Sequence, residues 1–190
     1  MSSSPPLMGA VAAMRTQAAL LLLASLVSCA PAYLGKPAGA DPTTAITVGV
    51  LLFVVSFGAL SKARPRSWYE ERLAGMAAPP LTATVIPREQ TFEIISRTLT
   101  KPLLLILVVG LVLSYATGMP AGMLLAGIAC SMLRQSRWPA GREKELNGRI
   151  VCPHAPARTS DDDPHLAAYR QVPYYIVHTE PAPDAGTPRP

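Results

Sequence analysis

Between Pro102 and Leu133 the chain carries no Asp, Glu, Lys, Arg or His, a gap of 32 residues. An uncharged apolar run of that length excludes an ordinary soluble helix and points to lipid. Charge is scarce elsewhere too: only 15% of the 190 residues are Asp, Glu, Lys or Arg, against 49% hydrophobic. A soluble domain of this size is rarely so apolar. Cysteine is limited to Cys29, Cys130 and Cys152, far apart and with Cys130 inside the uncharged run. That distribution excludes a disulfide framework. The sequence contains no GxSxG, no HExxH, no P-loop and no paired Asp or His within an apolar stretch, so enzyme chemistry is not expected. Ionisable groups inside membrane spans mark proton relays and ion paths, and their absence here weighs against coupled transport. Cys152, His154, His165, His178 and the run Asp161, Asp162, Asp163 are metal-ligating types. Their scattered spacing fits no zinc site, so neither a metal nor a cofactor is expected.

What is present reads as a membrane protein. A single helix over 102–133 would be about 48 Å long, against a hydrocarbon core of about 30 Å. Two spans fit better, because Thr117-Gly118-Met119-Pro120-Ala121-Gly122 supplies a Gly to end one helix and a Pro to start the next. Thr98, Leu99 and Thr100 extend the first of these spans, giving 98–117 and 119–137. Lys101 and Arg134 can snorkel to the headgroups. Upstream, residues 43–61 form a clean uncharged span ended by Lys62, with Asp41 or Thr43 as the helix cap and Pro42 in its first turn. Residues 16–34 form another after Arg15, with Tyr33 at the far interface.

Within that first span, Leu26-Val27-Ser28-Cys29 resembles the lipobox of bacterial lipoproteins. The resemblance implies a cleaved segment with an acylated Cys29; the length alone implies a retained helix, which is the favoured reading. Residues 1–15, uncharged and rich in Ser and Pro up to Arg15, read as a disordered tail. Residues 35–42 form a tight connector.

Positive charge sets the sidedness. Lys62, Arg64, Arg66, Arg72, Arg88, Arg97 and Lys101 lie between the second and third spans, and Arg134, Arg137, Arg142, Lys144 and Arg149 follow the fourth. With Arg15 these gather on one side, while the other connectors hold only Lys36. The positive-inside rule then gives an all-α plasma-membrane protein with four transmembrane helices, arranged as two antiparallel hairpins, and with both termini cytoplasmic. The expected interfacial anchors are Lys62, Arg64, Arg66, Trp68, Tyr69, Lys101, Arg134, Arg137 and Trp138. Gly110 with Ser114, and Gly127 with Ser131, stand four apart and permit close helix packing, read as internal contacts in preference to a dimer face.

The loop 62–101 is expected to carry short interfacial helices. Residues 88–100 would either lie on the bilayer or lead into the third span. The tail 138–190 is Pro-rich and largely disordered, apart from a short β-hairpin pairing 148–152 with 172–179. That patch would dock on the loop or on a partner. Arg outnumbers Lys 13 to 4, and Ala and Pro are abundant, a composition that suits a GC-rich bacterial genome. The net charge of +5 sits beside the spans instead of forming a free basic face, so the bilayer is the expected partner and nucleic acid is not. The functional expectation is a non-enzymatic accessory or scaffold subunit of a membrane complex, with a membrane-protein partner or self-association. An oligomeric channel or transporter for a neutral or hydrophobic solute is the alternative.

Overall fold

Apolar length decides the architecture. The computed structural model describes residues 5–34, 41–154, 163 and 165–178. The 35–40 connector, Asp161 and Asp162, and the Pro-rich end beyond His178 lie outside the described residues. The elements run β1 (Leu7–Gly9), α1 (Ala10–Leu34), α2 (Pro42–Ala63), α3 (Arg66–Ala74), α4 (Arg88–Thr117), α5 (Gly122–Gln135), α6 (Arg137–Glu145), β2 (Gly148–Pro153), α7 (Leu166–Gln171) and β3 (Tyr175–His178). Among the described residues, three helical stretches, beginning at Ala10, Pro42 and Arg88, are long and apolar enough to cross a membrane. At 14 residues, α5 is about 21 Å long and falls short of that length.

Local chemistry explains the helix ends. Asp41 caps α2 by accepting from Thr44 N at 3.3 Å, with Pro42 at the first helical position. The amphipathic stretch 88–100 leads straight into the apolar run, so α4 is one helix of 30 residues with Pro102 inside it. It stops at Gly118, whose φ of 68° is left-handed, a conformation that costs an L side chain about 1–2 kcal/mol. The hydroxyl of Ser114 then accepts from Ala121 N at 3.2 Å, closing the turn into α5. The expected break between Thr117 and Gly122 is therefore a built turn.

The helices pack in the row α4, α1, α5, α2, the close pairs being α1 with α4, α1 with α5 and α2 with α5. This corrects the expectation of two simple hairpins: chain neighbours are not the closest partners, and the two helical pairs interleave. The reason lies in where small residues fall. Gly110 lets α4 approach Ser28 of α1, Gly122 lets α5 approach Ser25 and Cys29, and Gly127 lets α5 approach Phe53 and Ser56 of α2. These contacts make α4 parallel to α1 and α5 parallel to α2. The outward faces remain apolar and exposed, from Val50 to Val55 on α2 and from Leu104 to Val112 on α4, as lipid contact requires.

At one end of the row sits a folded cap. Its sheet has the antiparallel order β1-β2-β3, with Met8 opposite Cys152 and Ile150 opposite Ile176. Both outer edges are covered by the 75–87 connector: Leu7 N donates to Thr84 O and Ile86 N to Leu7 O on one side, Ile176 N to Ala77 O on the other. Residues 7–14, expected to belong to a disordered tail, thus form a strand and the start of α1, with Leu7 and Met8 each 1% exposed. Burying these two side chains is what orders the segment. The pairing of β2 with β3 follows the expected hairpin, except that α7 intervenes and β1 adds a third strand. The cap core comprises Ala10, Tyr69, Leu73, Ile150 and Tyr174.

Candidate functional site

Four of the expected anchor residues, Arg64, Trp68, Tyr69 and Trp138, meet at the join of cap and bundle. α3 turns Trp68 and Tyr69 inward, edge to face at 4.8 Å, and Trp138 of α6 lies 5.2 Å from the Tyr69 ring. The Arg72 guanidinium stacks over Trp68 at 3.7 Å, with that of Arg64 at 5.6 Å. Tyr69 donates to Gln135 Oε1 at 3.1 Å, and Gln135 Nε2 donates to the carbonyls of Leu60 at 3.1 Å and Arg64 at 3.3 Å. One buried amide therefore ties α2, α3 and α5 together and satisfies carbonyls at the end of α2.

Beside this platform lies a cavity of about 490 Å³. Ala13, Met14, Ile95 and Leu99 make it apolar, while Gln17, Thr98, His154 and Tyr174 add polar atoms and, among the described residues, Arg64 alone brings a fixed charge. Cys152 faces it, yet the protein around the thiol pushes its pKa up to about 12, so it stays protonated at neutral pH. Burial also raises the Tyr174 hydroxyl and lowers His154, leaving that imidazole neutral. The arrangement suits an amphipathic molecule with its polar end at Arg64.

Tyr69 departs from its expected place: it is 1% exposed and belongs to the protein interior, not to the headgroup layer. Trp68 and Trp138 are half-buried against it. Lys62, Arg66, Lys101, Arg134 and Arg137 are exposed. Arg66 pairs with Glu70 at 2.6 Å and Arg134 lies over Phe57. A hollow on the far side of Trp138 brings Arg66, Arg134 and Arg137 together, whereas Lys62 and Lys101 join neither it nor the larger cavity.

All four packing residues mediate internal contacts: Gly110 meets Ser28, Ser114 closes the turn, Gly127 meets Ser56, and Ser131 shares a 3.0 Å hydrogen bond with Ser61. Sequence reasoning missed Gln135, Arg72, Gly49 and Gly122. A signal existed for the glycines, since Gly49 precedes Ser56 by two helical turns on one face of α2. Gln135 had none, being a polar residue just past an apolar run. Comparison with protein families, with characterised proteins and with solved structures finds no match for this chain.

Proposed function

We propose that the chain is a four-span plasma-membrane protein acting as a non-enzymatic accessory or scaffold subunit, with its cap in the cytoplasm. The observation that carries this reading is the sheet in which β1, ahead of every helix, pairs with β2, after all four bundle helices. Both strands lie at the same end of the bundle, so the chain returns to the side it left and crosses an even number of times. Three long helices cannot satisfy that parity, and α5, alongside α1 and α2, makes the fourth crossing where the bilayer thins or the turn at 118–121 dips below the headgroups.

Cations crowd the cap end, from Arg64, Arg66 and Arg72 to Arg134, Arg137 and Arg149, which favours the cytoplasmic side. α1 contacts both α4 and α5, so cleavage before Cys29 would remove most of the central helix. A retained helix fits better. A cap knit from three chain segments is a rigid surface on which a partner can dock. Extraction in mild detergent followed by affinity purification tests this. A different protein recovered in fixed ratio supports a subunit; a homogeneous homo-oligomer that passes a neutral solute into liposomes supports the channel instead.

A further inference from the structure

A second hollow, of about 380 Å³, opens where α1, α4, α6 and β2 meet. Arg15 enters it from α1, Arg88 from the first turn of α4, Lys144 from α6 and Arg149 from β2. Four elements far apart in sequence deliver four cations to one place, and none of the four is in a salt bridge among the described residues. The opposing group is Glu143, and its carboxylate is already engaged by Ile150 N at 2.9 Å. Among the described residues lining the hollow, one carboxylate faces four cations, which leaves a surplus of positive charge.

Arg149 is held in an unusual way. Its guanidinium packs against Gly9, close enough that a Cβ there would stand 2.7 Å from Nη2. That Nη2 is buried and has no hydrogen-bond partner among the described residues. A buried charged donor with no acceptor is costly, and an anion seated in the hollow would supply one.

We infer that this hollow binds a phosphate group, carried by a phospholipid headgroup or free in solution. Guanidinium forks match phosphate oxygens in two-point contacts, and the Lys144 ammonium adds a point charge. The position fits either source, since Arg15 and Arg88 stand where the cap meets the bundle. The inference does not depend on the subunit reading and would survive its failure.

The test uses the full-length protein in phosphatidylcholine nanodiscs and follows the melting temperature. Inorganic phosphate is added in one arm; phosphatidylglycerol is incorporated in the other. A rise with inorganic phosphate assigns free phosphate, and a rise with phosphatidylglycerol alone assigns the headgroup. In either case Arg149→Gln and Arg88→Gln, on different elements, should need about tenfold more ligand for the same rise. Arg66→Gln, at the same end but outside the hollow, should behave as the wild type. The inference is overturned if neither addition moves the melting temperature. It is overturned equally if all three variants respond like the wild type, or if all three weaken alike, which would reveal a diffuse surface-charge effect.

Discussion

Single residues decide how closely the helices approach. A Cβ on Gly122 would run into the backbone of Ser25 and the Cys29 sulfur, whereas one on Gly58 would meet nothing within 4 Å. Gly122→Ala should therefore cost about 1–3 kcal/mol, while Gly58→Ala should be neutral or slightly stabilising. Thermal unfolding of both variants in the same detergent checks this contrast, and equal losses would contradict it. Glu143 makes a second prediction. Burial raises its pKa above the ordinary glutamate value, and nearby Arg149, Arg15 and Arg88 only partly offset the rise. The folded state therefore binds the proton more readily than the unfolded chain, so stability falls as pH rises through the window above the unfolded pKa. In phosphate-free buffer Glu143→Gln should be more stable than wild type at neutral pH, its amide oxygen still accepting from Ile150 N. The advantage should shrink as pH drops below the folded pKa and be gone below the unfolded one, and a pH-independent difference in melting temperature would refute the assignment.

At the scale of elements, what a sequence discloses depends on whether the signal is local. The Asp41 cap, the Gly118 stop and the β-branched run ahead of His178 carry their own chemistry and were legible. β1 was not: three residues, Leu7, Met8 and Gly9, have no period, and partners far along the chain, strand β2 and the connector around Val85, make them a strand. The row order of the helices was hidden for a related reason. An apolar stripe tells which face is buried but not which helix covers it, and in lipid the choice falls to small residues such as Ser28 and Gly110. Of the join, the aromatics were legible as a group near a span end, but not as interior, because burial of Tyr69 rests on Gln135. Replacing that amide by Leu would strand the Tyr69 hydroxyl and the Arg64 carbonyl, since the Leu60 carbonyl still accepts from Arg64 N, at a cost of about 1–3 kcal/mol. Since Trp68 and Trp138 are the only two tryptophans and both flank Tyr69, Gln135→Leu should shift tryptophan emission to the red at temperatures where wild type is still folded. Unchanged emission would mean that the platform holds without its polar tie.

For the whole molecule, the deciding constraint is that one small sheet draws on both ends of the bundle sequence. Hydrophobic length alone gives an odd number of clear spans, and an odd number would put β1 and β2 on opposite faces of the membrane. No register of three strands could bridge that distance, because a hydrocarbon core of about 30 Å lies between the faces and paired strands stand about 4.8 Å apart. Either α5 crosses despite its 14 residues, or the sheet cannot form in the bilayer. Single cysteines separate these cases, set into a variant lacking Cys29, Cys130 and Cys152. Thr44 at the start of α2 and Met119 in the turn ahead of α5 are exposed at one end of the bundle, and Gly141 on α6 is exposed at the other. With a membrane-impermeant maleimide applied to intact cells, Thr44→Cys and Met119→Cys should label, and Gly141→Cys should label only after the membrane is opened. Labelling of Gly141→Cys from outside together with Met119→Cys would leave α5 uncrossed. The cap would then have to come apart for the chain to sit in a membrane.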